Sequence, residues 1–127
     1  PEDGIEISTT KISDLDPITF NPENFAWGIL GAATTKGWAS NNDCGAADQD
    51  LDLNYNGVSG GRYSWSITTP LTADQFKFRA NNCWTINLNY TQVAISGAGA
   101  SNIENAGGGD NNFRAKVAGN YTFVLST

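Results

Sequence analysis

The side chains best suited to chemistry in this chain are cations set between aromatic rings. Phe76-Lys77-Phe78-Arg79 alternates apolar and charged residues, so a strand there puts rings on one face and two cations on the other. Asn81-Asn82 follows with turn chemistry, because asparagine tolerates left-handed backbone angles and bonds its own main chain. Trp84, Ile86 and Leu88 restart the alternation, which predicts a hairpin over 76–89 with a second strand continuing toward Val93 and Ile95. Lys77 and Arg79 on its outer face would donate to hydroxyls or carboxylates. Trp38 falls in a loop after Gly37, where a flat ring can reach solvent and stack on the CH face of a pyranose. Trp27, Trp65 and Trp84 sit at strand positions expected to face a core, with Trp84 able to line a site because it starts its strand at the turn.

What is missing narrows the chemistry. There is no histidine, which removes the usual general base, a Ser-His-Asp arrangement and most zinc sites together. The glutamates Glu2, Glu6, Glu23 and Glu104 fall in tails and loops without an acid–base pairing, so no enzyme is expected. Asp43, Asp48, Asp50 and Asp52 could together supply oxygens to calcium, although their spacing is not that of an EF-hand; no other cofactor is expected. A formal charge of −6, from 13 acidic and 7 basic residues, argues against a nucleic-acid partner. No apolar run approaches a transmembrane span, and no signal peptide opens the sequence, as in a mature, processed chain. The two cysteines, Cys44 and Cys83, fit one disulfide tying the acidic loop to the turn of the hairpin. That points to an oxidising compartment and a secreted protein.

These residues need a scaffold, and the pattern around them is that of strands. Fourteen glycines, a charged fraction of 16% and no sustained helical period favour a turn-rich, all-β design. Strands are predicted at 25–31, at 51–55 before the Asn56-Gly57 turn, at 63–67 with Pro70 ending it, in the hairpin, at 113–117 and at 121–125. About seven short antiparallel strands separated by turn signals indicate an immunoglobulin-like β-sandwich over residues 25–127. Residues 1–24 are polar and broken by Pro17 and Pro22, which reads as a leader. Within it, Ile5-Glu6-Ile7-Ser8-Thr9 has the alternation of a docking strand, either on its own domain or on a neighbouring copy.

Several short motifs occur together in order: Trp27-Gly28-Ile29-Leu30-Gly31, Gly37-Trp38, Tyr63-Ser64-Trp65, Phe76-Lys77-Phe78-Arg79-Ala80-Asn81, Trp84-Thr85-Ile86-Asn87, Gly109-Asp110-Asn111 and Ala118-Gly119-Asn120-Tyr121-Thr122. In this the chain resembles the carbohydrate-binding domains of SusE and SusF, surface glycan-binding proteins of Bacteroidetes starch-utilisation systems. The resemblance covers about residues 25–127, and its most specific part is Phe76–Asn81 with the following Trp84. It implies a β-sandwich that binds glucan without cleaving it, with aromatic rings stacking on sugars and cationic side chains bonding hydroxyls. Carried over, the implied site is Trp38, Lys77, Arg79 and Trp84, with Asn81 and Asn82 beside them. The chain departs from that family in having one domain and no cysteine near its N-terminus to carry a lipid. The expectation is therefore a secreted, cell-surface or extracellular polysaccharide-binding module. The alternative is a subunit of an extracellular filament, self-associating through residues 1–24.

Overall fold

The computed structural model describes residues 4–8, 26–39 and 50–126. Among them are eleven strands: β1 (Gly4–Ser8), β2 (Trp27–Leu30), β3 (Leu51–Asp52), β4 (Asn54–Ser59), β5 (Arg62–Leu71), β6 (Gln75–Ala80), β7 (Asn87–Leu88), β8 (Ala94–Ser96), β9 (Ile103–Asn105), β10 (Phe113–Ala115) and β11 (Gly119–Ser126). They form two sheets. One runs β4-β5-β11-β1-β8; the other runs β3-β2-β6-β10-β9, with β7 also paired to β6. The all-β, sandwich-like expectation holds, with more strands than the seven predicted and one parallel pair, β1 with β11, among the antiparallel ones.

Alternation decides which side chains meet between the sheets. Trp65, Tyr121, Phe123 and Leu125 face inward from the first sheet, and Trp27, Ile29, Phe76, Phe78 and Phe113 from the second; all are buried in one core. Phe123 joins the layers, its ring centroid 5.4 Å from that of Phe76 and 5.3 Å from that of Phe78. Phe78 also meets Phe113 edge-on, an arrangement favoured by the ring quadrupoles. Trp27 and Trp65 are core residues, as their strand positions predict.

Three local departures from expectation have identifiable causes. The second arm of the hairpin stops after Leu88, because Asn89 and Gln92 form a capping box. Asn89 Oδ1 accepts from the Thr91 amide and Gln92 Oε1 accepts from the Asn89 amide, starting a 3-10 turn at Tyr90–Gln92. The chain then crosses to the other sheet as β8. Pro70 does not end β5, which continues to Leu71 and pairs Pro70 with Asn120. Among the described residues β4 pairs only with Arg62–Ser66, which leaves this end of β5 an edge on that side, where the missing N–H of proline is tolerated.

The third departure concerns the N-terminal segment. β1 lies inside the first sheet, parallel to β11 from Gly4↔Thr122 to Ser8↔Ser126 and antiparallel to β8, with Ile7 wholly buried. This part of the expected leader is a strand of its own domain, and the contact seen is within one chain. Residues 9–25 lie outside the described residues.

Tyr121 fixes the bend into β11. Its phenol donates to the Val117 carbonyl at 2.5 Å, and burial raises its pKa above the usual tyrosine value of 10.0. A raised folded-state pKa means that the unfolded chain releases the proton first. Stability from this group is thus complete below about pH 10 and is lost as pH rises through the folded value. Tyr121→Phe should lower stability by about 1–2 kcal/mol at neutral pH, through the unsatisfied carbonyl. It should also flatten the alkaline fall in stability, as measured by urea titrations between neutral pH and pH 11.

Candidate functional site

The candidate site lies on the outer face of the second sheet, above β6. Along β6 the residues opposite the aromatic core face are Gln75, Lys77 and Arg79. β2 pairs with this strand so that Gly28 lies opposite Arg79 and Leu30 opposite Lys77. The cations therefore occupy the outer face, as alternation predicts. The exposure predicted for Arg79 is not found.

Arg79 is 0% exposed. Its Nε donates to Asp50 Oδ2 at 2.7 Å and its Nη2 to Asp50 Oδ1 at 2.8 Å, a two-pronged pair between fully buried side chains. Room for the pair comes from Gly28, where a Cβ would sit 2.7 Å from Asp50 Cβ. Trp84 covers it, with its ring centroid 4.5 Å from the guanidinium carbon of Arg79 and 5.5 Å from Lys77 Nζ. Two expectations are corrected here. Arg79 is not presented to a ligand, because it is fully buried beneath an indole with Nε and Nη2 donating to Asp50. Asp50 is withdrawn from the calcium set, because both carboxylate oxygens accept from Arg79. Asp52 lies exposed on β3, and Asp43 and Asp48 lie outside the described residues. Among the described residues no group of three or more His, Cys, Asp or Glu could hold a metal.

The turn after β6 places Trp84. Asn81 and Asn82 take the left-handed angles expected of them, with φ of 58° and 60°. Asn81 Oδ1 accepts from the Ala26 amide, and the Asn81 amide donates to the Ala26 carbonyl. Asn87 closes the other side, its Nδ2 donating to the Trp84 carbonyl at 2.8 Å. The turn thus spans 81–86, and Trp84 stands on it 38% exposed, where sequence alternation had placed it at a core-facing strand position. Asn81 and Asn82 serve this turn and do not line the cleft described below. Cys83 is buried in the same turn, and no cysteine among the described residues is a free thiol; Cys44 lies outside them.

Trp38 is carried by a second tight loop. Gly31, with φ of 136°, passes so close to β6 that a Cβ would lie 2.5 Å from the Gln75 carbonyl oxygen and from Phe76 Cα. Buried Thr34 braces the loop, its hydroxyl donating to the Gly31 carbonyl and accepting from the Gly37 amide. The Gly31↔Gly37 bridge then sets the exit direction, and Trp38 emerges 43% exposed.

These two loops bring the tryptophans together. Their ring centroids are 6.5 Å apart and their planes inclined at 45°. Between and beside them is a cleft of about 440 Å³ lined by Trp38, Gln75, Lys77, Trp84, Asp110 and Asn112. The volume is in the range of small-molecule sites. Of the residues carried over from the resemblance, Trp38, Lys77 and Trp84 meet here. Gln75, Asp110 and Asn112 are additions. Gln75 was legible, since it precedes Lys77 by two on the same strand face. Asp110 and Asn112 arrive through the turn between β9 and β10, where Gly107, Gly108 and Asn111 all have positive φ; no local pattern reveals that approach.

The polar walls are partly wired to each other. Asn112 Nδ2 donates to Gln75 Oε1 at 3.0 Å and Lys77 Nζ to Asn87 Oδ1 at 3.5 Å. Asn112 Oδ1 is buried with no hydrogen-bond partner among the described residues. The site thus combines two flat apolar faces with an ammonium, a carboxylate and two amides. Such a set can stack on rings and exchange hydrogen bonds with hydroxyls. The chain matches no protein-family model, no curated protein and no solved structure.

Removing one half of the buried pair strands a charge. Asp50→Ala should destabilise the fold by about 3–5 kcal/mol, while adding Arg79→Met to it should recover much of the loss. Denaturant unfolding of the two single variants and the double variant checks this. It should also show Trp84 emission moving toward that of a solvated indole in Asp50→Ala.

Proposed function

We propose that this protein is a non-catalytic carbohydrate-binding module that receives a polysaccharide or oligosaccharide in the Trp38–Trp84 cleft. The observation that carries the reading is the pair of exposed, mutually inclined indoles over a cleft walled by Gln75, Lys77, Asp110 and Asn112. Exposed tryptophans normally cost solvation, and two that share one concavity fit a ligand with apolar faces. A pyranose has such faces, ringed by hydroxyls that need both donors and acceptors. Lys77 supplies donors, Asp110 supplies acceptors, and the amides of Gln75 and Asn112 supply both.

The resemblance to SusE and SusF domains supports the same reading at Trp38, Lys77 and Trp84. In this reading Arg79, Asn81 and Asn82 act on the ligand through Trp84, which they hold in place. The protein works outside the cell or at its surface, with a Cys44–Cys83 disulfide anchoring the Trp84 turn. Closing a loop of about 40 residues stabilises the fold by roughly 4 kcal/mol in the chain-entropy model. Intact mass under non-reducing conditions should be two hydrogens below that of the reduced chain, with neither cysteine alkylated before reduction.

The binding test is a titration of soluble glucans and other plant and microbial polysaccharides, by calorimetry or affinity electrophoresis. Trp38→Ala and Trp84→Ala should each weaken binding by about 1–2 kcal/mol, a factor of roughly 5–30. The Trp38 variant should keep wild-type stability. Wild-type protein that retains no polysaccharide, or full affinity in both variants, would remove the cleft from the function.

A further inference from the structure

β1 occupies a slot between two strands that are not paired with each other. On one side β11 offers its main-chain edge from Thr122 to Ser126, and on the other β8 has β1 as its sheet partner. The slot takes a five-residue strand and the fully buried side chain of Ile7. Main-chain hydrogen bonds and the Ile7 site do not distinguish the chain's own segment from that of an identical copy.

Two further facts make a copy a credible occupant. β1 is tied to β2 through residues 9–26, and β2 belongs to the opposite sheet. Those 18 residues can span up to roughly 60 Å when extended, enough to reach a neighbouring sandwich. The pairing is also very non-local, since Gly4 meets Thr122 across almost the whole sequence. Closing so long a loop costs chain entropy before the pairing rewards it, so the contact within one chain carries a cost that grows with that separation.

We propose that β1 is exchangeable, and that its partner is a second copy of this chain, whose β11–β8 slot accepts the strand in the register seen here. Each exchange keeps the parallel β1–β11 ladder and the Ile7 site and changes only which chain supplies them. Reciprocal exchange closes a dimer, and one-way exchange extends a head-to-tail chain.

The register gives a direct test in the full chain. Ser8 and Ser126 are paired positions, so Ser8→Cys is placed in one preparation and Ser126→Cys in another. Neither variant can form that bridge within itself. The two are mixed at high concentration, warmed to open the sheet edge, cooled and treated with a short bis-maleimide. The expected product is a cross-linked heterodimer of one Ser8→Cys and one Ser126→Cys chain, identified by mass. It should exceed by at least tenfold the yield from Ser8→Cys mixed with Thr122→Cys, which is off register. A chain carrying both Ser8→Cys and Ser126→Cys reports the same contact within one molecule. Absence of the heterodimer overturns the proposal, as does an equal yield from the off-register pair, which marks collision only.

Discussion

The buried pair between Arg79 and Asp50 is the constraint on which the site depends. Two ions removed from water carry a desolvation cost of several kcal/mol each, and only close, two-pronged geometry offsets it. Here the distances are 2.7 and 2.8 Å, and an indole lies over the guanidinium. Gly28 admits Asp50, Asp50 fixes Arg79, and Arg79 supports Trp84. Each step removes freedom from the next. The backbone also gains, since Lys36 Nζ reaches the Asp50 carbonyl and so draws the Trp38 loop toward the same anchor.

A rigid support matters because stacking is geometric. An exposed tryptophan on a loose turn loses rotamer freedom on meeting its ligand, and that loss weakens binding. The backbones that carry Trp84 and Trp38 are fixed in advance. One is held by left-handed asparagines and the Asn87 amide, the other by the Thr34 brace and the Gly31 approach. Their inclination is thus a property of the folded sheet.

Much of the fold was legible because alternation is a local signal. Phe76 and Phe78, Phe123 and Leu125, and the core positions of Trp27 and Trp65 follow from period two alone. The Asn81-Asn82 turn followed from side-chain chemistry. What escaped has a common origin in distant partners. Arg79 reads as an outward cation until Asp50, 29 residues away, is placed beside it by a glycine that shows only as a gap. Trp84 reads as a core residue until the turn proves to extend through Ile86. The parallel placement of β1 has no local signature, since its partner lies at the other end of the sequence. Asp110 and Asn112 reach the cleft by tertiary approach alone.

The inclined tryptophan pair has an optical consequence. Two indoles with centroids 6.5 Å apart and planes at 45° are close enough for their ultraviolet transitions to mix, and inclined planes let the two transition directions be skewed to one another. Such a pair gives a two-signed band in the circular dichroism spectrum whose amplitude follows distance and angle. The two core tryptophans sit in fixed surroundings, so a change in that band reports on the cleft. The protein therefore carries its own spectroscopic ruler at the place where a ligand would enter.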